Sequence, residues 1–347
     1  MLSRALLACS YSHYTTKRLG FCFTRRQDWA AAVSKETTMF IPEFPECRRI
    51  LVEDKPLLDE IFAASPPEVS AYTYTNLFAW SESYDSGISR VGDSIVVQHH
   101  VGGIRTCLEP LGGGDVESVV AEVFTRGADM VSHFERMSAD AARLFKGDSR
   151  FVIEPDRANS DYVYLASDLI GLPGRPFDGK RNHISRFKSK YGYTYEVMTQ
   201  EAAEECREFA DSWCEERSCQ AVDGLREEQS AVCRMLDNFD ALGIRGGAIR
   251  VEGAIVAFAL GEPLNPETLV VHAEKAANMA GLYQLINNEF CIHEAQGFTY
   301  VNREQDLGIP GLRKAKKSYH PVKMINTYTT RPSDRETSVV GRDSRTG

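Results

Sequence analysis

The 347-residue sequence has no uninterrupted apolar run near the ~18 residues that cross a bilayer, which excludes an integral helical membrane protein. Its nine cysteines are odd in number, scattered and never spaced as CxxC, so neither a zinc knuckle nor a disulfide framework is supported. No Ser/His/Asp nucleophile motif and no metal-ligand spacing stands out, so metal ligands are expected to be absent. Low-complexity and collagen-like repeats are missing as well. What is present is ordinary for a folded protein: 43% hydrophobic and 26% charged residues, in a length that suggests two domains. A reducing, cytoplasmic setting is the default.

The net charge of −9 is unevenly distributed. Residues 1–38 hold six cations against Asp28 and Glu36, a net of +4, so the rest carries −13. This opening segment is Arg/Ser/Thr-rich and resembles a transit peptide in composition, but Arg4 interrupts its apolar stretch. Disorder, or an extension upstream of a true start at Met39, is expected for it. The polar tail from Arg331 to Gly347 is also expected to be disordered. Within the acidic remainder, cations gather in two stretches, Arg175 to Lys190 and Arg313 to Lys317. An acidic chain that concentrates cations in two places has the means to meet an anionic partner; a solvated helix face is the plain alternative.

Periodicity supplies the architecture. From Tyr195, a short strand is followed by two amphipathic helices, a hairpin about Glu252-Gly253, a strand TLVVHAEKA, a helix from Gly281, a strand FTYVNRE, a helix PGLRKAKK and a last strand PVKMINTYTT. The order β-α-α-β-β-β-α-β-α-β matches the GNAT acyltransferase fold, a mixed α/β sheet whose central strands splay apart around an acyl donor. The N-terminal half shows a fainter copy, including a long helix over Val116–Arg136. The expected organisation is two tandem GNAT-like domains, 39–171 and 193–330, joined by a basic linker helix over 172–192.

EVSAYTYTNLFAW (68–80), LPGRPFDGKRNHISRFKSKYG (172–192), GGAIRVEGAIVAFALGE (246–262), VVHAEKA (270–276) and YVNREQDLGIPGLRKAKKSYHPV (300–322) resemble the phosphatidylglycerol lysyltransferase C-terminal-domain-like family. That resemblance implies paired GNAT-like domains similar to Fem-type transferases, which use aminoacyl-tRNA as donor. The function it implies is aminoacyl or acyl transfer to an amine or hydroxyl acceptor.

The residues suggest where such chemistry would sit. Strand alternation places His272 and Glu274 on one face, where either could act as general base towards an acceptor amine. On the basic helix, Arg181, Asn182, His183 and Lys188 offer donors to phosphates. After FTYVNRE, Asn302 and Glu304 form a hydrogen-bonding row with Arg303 on the opposite face, and Arg313 and Lys317 form a cationic ridge. Tyr283 and Asn287 are expected to pair at i,i+4 along a cleft. The loop before this helix offers Asn278, Ala280 and Gly281 in place of the Q/RxxGxG/A form used to hold a CoA pyrophosphate, which disfavours acetyl-CoA. No cofactor is expected. The anticipated partners are aminoacyl-tRNA or another phosphate-bearing donor, and a small-molecule, peptide or lipid-headgroup acceptor, without stable membrane insertion. An acyl-CoA N-acyltransferase and a non-catalytic module binding a nucleotide, peptide or lipid headgroup remain the alternatives. Tyr72, Tyr74, Phe78 and Trp80 read as core or as a stacking platform, and Asp115 as a helix N-cap.

Overall fold

Alternating apolar runs bounded by tight turns form the strands, and apolar stripes at helical spacing form the helices between them. The computed structural model describes residues 40–219 and 224–334. The expectations for residues 1–38, and for the tail beyond Asp334, lie outside the described residues. The strands are β1 Arg48–Arg49, β2 Gly87–Val91, β3 Ser94–Val101, β4 Ile104–Leu108, β5 Leu111–Gly112, β6 Val131–Met137, β7 Phe151–Leu165, β8 Thr194–Val197, β9 Arg245–Val251, β10 Ala254–Asn265, β11 Thr268–Ala276, β12 Tyr300–Asn302 and β13 Lys323–Pro332. The helices are α1 Lys55–Ala64, α2 Tyr74–Ala79, α3 Val116–Arg126, α4 Ala139–Leu144, α5 Ala166–Gly171, α6 Asp178–Lys190, α7 Gln200–Glu216, α8 Leu225–Asp237, α9 Phe239–Leu242, α10 Leu282–Glu294 and α11 Pro310–Lys317.

One mixed sheet runs β1-β2-β3-β4-β6-β13-β7-β12-β11-β10-β9-β8, with β5 paired to β3. The same order of elements occurs twice. β1-α1-α2-β2-β3-β4-α3-β6-α4-β7 is followed by β8-α7-α8-β9-β10-β11-α10-β12-α11-β13, with the short β5 and the helices α5, α6 and α9 as additions. Each copy contains one parallel pair, β4 with β6 and β11 with β12. Their last strands are exchanged: β13 lies beside β6, and β7 beside β12. This is a GNAT-like arrangement in tandem.

One sheet face carries a core shared by both copies, in which Tyr74, Leu77 and Phe78 of α2 meet Ala203 and Cys206 of α7 and Val232 and Leu236 of α8. The opposite face carries two separate cores, one under α3 and one under α6 and α10. Tyr72, Tyr74 and Phe78 are thereby core residues, each at most 6% exposed. The Glu252-Gly253 hairpin forms with positive φ at both positions (52° and 85°), a type I′ geometry. Asp115 caps α3, its Oδ2 accepting from Ser118 N at 2.9 Å.

One expectation fails here. The long helix over Val116–Arg136 stops at Arg126, and β6 begins at Val131. Gly127 ends the helix, and two bulges in β6, at Ser132 and between Phe134 and Met137, bury Val131, Phe134 and Met137 at a spacing of three. That spacing imitates a helical stripe in sequence.

Candidate active site

The parallel pair β11 and β12 is short. These strands pair only over Thr268–Val270 and Tyr300–Asn302, so the remainder of β11 diverges from β12. The equivalent pair in the first copy is closed, because β4 stays paired to β6 from Arg105 to Leu108. The divergence is reinforced where β12 ends: Glu304 takes a left-handed φ of 55° and turns the chain away from the sheet. Asn302 holds that turn, its Oδ1 accepting the Glu304 N–H at 2.8 Å and its Nδ2 donating to Asp161 at 2.9 Å. Asp161 on β7 also accepts from the Ser70 N–H and hydroxyl at 2.7 and 2.9 Å, and burial pushes its pKa up to about 6.

A β-bulge in β11 governs which side chains reach the opening. The register steps from Leu260 opposite Ala273 to Gly261 opposite Val271, leaving His272 unpaired. An extra residue reverses the alternation beyond it. Val271 therefore packs in the core beneath α10, whereas Ala273 packs in the core beneath α7 and α8. The expectation that His272 and Glu274 share a face is corrected accordingly: the bulge directs them to different clusters.

His272 is clamped between two carboxylates. Its Nε2 lies 2.9 Å from Glu262 Oε1 and its Nδ1 2.9 Å from Glu304 Oε1. The ring is fully buried, while Glu262 and Glu304 keep side-chain exposures of 12% and 15%. Burial opposes charge on the imidazole, but the hydrogen bonds and charges of the two glutamates outweigh it and push its pKa up to about 9. At neutral pH the group is an imidazolium that donates from both nitrogens, leaving neither to take a proton from substrate. Glu304 Oε1 also accepts from Asn76 Nδ2 at 2.9 Å. The same glutamate thus has one oxygen fully engaged and sits at the mouth of the opening.

Glu274 belongs to a second cluster under α10. It accepts from Asn287 Nδ2 at 2.7 Å and from Arg303 Nη2 at 2.6 Å. The Arg303 guanidinium lies against the rings of Tyr319 and Tyr164, at 4.7 and 5.7 Å. Its Nη1 and the Asn287 Oδ1 are buried without a hydrogen-bond partner. Lys316 connects the two clusters: its Nζ donates to the Arg303 carbonyl, and it lies within electrostatic range of Glu304, Asp161 and Glu274. Burial, aided by Arg303, lowers its pKa to about 8. Lys180 of α6 is lowered to about 8 by the same two causes; it donates to Ser318 Oγ at 2.6 Å and lies 3.8 Å from the Tyr319 ring centre.

The two basic stretches therefore meet beside the opening. Lys180 joins α6 to the end of α11, where His320 also packs edge-on against Phe177. Their individual cations differ in availability. Arg181 is bound by Asp178 and by the Leu172 and Gly174 carbonyls, and Arg313 is held bidentately by Asp306 at 2.8 and 3.0 Å. Lys188 reaches Glu289 at 3.2 Å. Asn182, His183 and Lys317 are exposed. Tyr283 is 38% exposed and turns towards Trp213 instead of joining Asn287, so the expected pair does not form. Ala315 is exposed, and α11 buries none of its residues.

Sequence reasoning did not single out Glu262, Asn76, Asp161 or Lys316. An acid at the end of the apolar run AIVAFALGE and another preceding YVYL were the available signals, since a carboxylate bordering a buried strand needs partners.

A tandem GNAT-like sheet, in which the second copy gathers carboxylates, an imidazolium and basic side chains beside its short parallel pair, defines the fold class of the protein. The family described as phosphatidylglycerol lysyltransferase, C-terminal, matches residues 62–331, and the chain belongs to it. A conserved protein of unknown function from Bacteroides thetaiotaomicron is 34% identical, with a TM-score of 0.77, over 84% of this chain and 100% of that one. L-PGS from Bacillus licheniformis is 17% identical with a TM-score of 0.58, over 86% of this chain and 95% of that one. FemX shares the fold at 10% identity and a TM-score of 0.51, over 82% and 96% of the two chains. No curated protein matches the chain in sequence. Among the described residues, no helix is long and apolar enough to cross a membrane.

Proposed function

We propose that the chain is a cytoplasmic aminoacyltransferase that moves an aminoacyl group from aminoacyl-tRNA to an amine or hydroxyl acceptor at the β11–β12 opening. The observation that carries this reading is the convergence of both basic stretches, through Lys180 and Ser318, beside the short β11–β12 pair. A tRNA donor supplies phosphates for Lys188, Lys190 and Lys317 and places its ester within the opening. Acetyl-CoA fits less well. The amino end of α10, where a CoA pyrophosphate would sit, is packed under α6: a β-carbon on Gly281 would lie 2.3 Å from the His183 carbonyl oxygen.

In the proposed reaction the acceptor nitrogen or oxygen bonds to the ester carbonyl carbon, the ester C–O bond breaks, and the ribose oxygen departs with a proton. Lys316, with its pKa near 8, is suited to take the acceptor's proton in its neutral form and return one to the leaving oxygen. Glu304, fixed by His272, Asn76 and Asn302, orients the acceptor's N–H or O–H. His272 is a positioning residue, since both of its nitrogens are committed. The unpartnered Arg303 Nη1 offers a donor to an anionic or carbonyl oxygen.

The test is incubation of the protein with a radiolabelled pool of aminoacyl-tRNAs and a fractionated cell extract. Label leaving selected tRNAs for a new product supports transfer. Saturable tRNA binding without loss of label would make the chain a binding module instead.

A further inference from the structure

A cavity of about 530 Å³ lies between α4 and the paired ends of β7 and β13, at the opposite end of β7 from Val163–Leu165, where that strand pairs with β12. Its volume lies within the range of small-molecule sites. The floor is apolar, built from the partly exposed Phe151 and Ile153 over the buried Phe145, with Ala142 at its edge. Ala142 is 6% exposed yet belongs to none of the hydrophobic cores, because its methyl faces the cavity.

The rim has a distinct polar character. Arg143 is paired with Asp140 at 2.5 Å and Asp148 with Arg150 at 2.6 Å, so those charges are compensated. Lys146 has no ion pair among the described residues, and the hydroxyls of Ser149 and Tyr328 make no side-chain hydrogen bond there. One uncompensated cation and two uncommitted hydroxyls thus converge above an apolar floor. Such a site recognises an anionic head by charge and hydrogen bonding while the body of the ligand displaces water from the aromatic rings.

From this arrangement we infer that the cavity binds a small amphiphilic organic anion, a carboxylate or sulfonate head on an acyl or aryl body, independently of the transfer site. The head contacts Lys146, Ser149 and Tyr328, and the body lies on Phe151 and Ile153 beside Ala142.

The probe is 8-anilinonaphthalene-1-sulfonate, titrated by fluorescence into the full chain, with decanoate as competitor. Saturable binding at one site is expected. Lys146→Glu, on an exposed side chain, should weaken it by roughly tenfold or more, as expected when an attractive ionic contact becomes repulsive. Ala142→Trp should fill the floor and abolish binding, with circular dichroism confirming that the fold persists. Displacement by decanoate identifies an acyl body as acceptable; binding of the sulfonate without displacement restricts the site to aryl anions. Absence of saturable binding, or affinity that Lys146→Glu leaves unchanged, overturns the proposal.

Discussion

Replacing His272 by Gln tests whether the centre of the site is a charged clamp. The imidazole has an ordinary pKa of 6.5, and between Glu262 and Glu304 it rises to about 9. Because the folded state holds a proton that the unfolded chain releases in this interval, stability is fully present below pH 6.5 and is lost as the pH rises through 9. Ten-fold in proton affinity is 1.36 kcal/mol, so the clamp contributes about 3 kcal/mol at its maximum. The ring is fully buried, so solvent screening takes little from that figure. Urea unfolding of the natural protein and His272→Gln at pH 6, 7, 8 and 9.5 measures it. The stability advantage of the natural chain should be largest at pH 6 and shrink by about 3 kcal/mol by pH 9.5. Lys180 and Lys316 titrate in the same window in both chains, so the difference reports His272 together with any shift that its removal imposes on Lys316 through Glu304. Nitrogen NMR of the ring at pH 7.5 gives a direct reading, with both nitrogens protonated. A difference that is flat or grows with pH, or a ring with one bare nitrogen at pH 7.5, would refute the imidazolium clamp.

Lys316→Arg keeps the cation but removes a group that can be neutral near pH 8; transfer should fall by about 10²–10⁴ and lose the limb that rises with pH towards 8. A fall in tRNA affinity without a change in turnover would instead make Lys316 a phosphate contact. Lys317→Ala and Arg313→Ala should separate binding from folding: the first weakens tRNA binding and flattens its salt dependence, whereas the second leaves buried Asp306 with Arg157 and Tyr162 but without its bidentate guanidinium and lowers the melting temperature. Equal effects of both variants on tRNA affinity would contradict the division. Gly261→Ala would put a β-carbon 2.3 Å from the Val270 carbonyl oxygen, so the bulge should shift, with a stability loss of about 1–3 kcal/mol by denaturant titration. A neutral Gly261→Ala would mean that the backbones at the bulge are not tightly apposed.

The sequence made the order of elements legible, because helical stripes and β-branched runs in the second half are long and bounded by turns. The copy in the first half was harder to read where β6 carries its bulges, since Val131, Phe134 and Met137 then mimic a helix. A bulge limited the reading of the site as well. His272 and Glu274 stand two apart, and strand alternation alone assigns them one face; only the register with β10 reveals the reversal. Availability of the cations was equally hidden. Arg181 and Arg313 belong to basic strings in sequence, yet each is bound by an acid a short distance away in the chain, Asp178 and Asp306.

Exchange of the terminal strands explains why the open strand pair draws its walls from both copies. β7 ends the first copy but lies against β12 of the second, so Asp161 reaches Asn302, and Asn302 fixes the turn that aims Glu304. Asn76, from the helix α2 that belongs to the first copy, completes the hold on the same carboxylate. The second copy supplies the open strands and the imidazolium, whereas the first supplies the groups that orient its key acid. The first copy, with β4 and β6 closed over each other, has no such opening of its own. The repeated arrangement therefore gives the candidate site a two-part frame, in which residues of the first copy hold the turn and the carboxylate of the second.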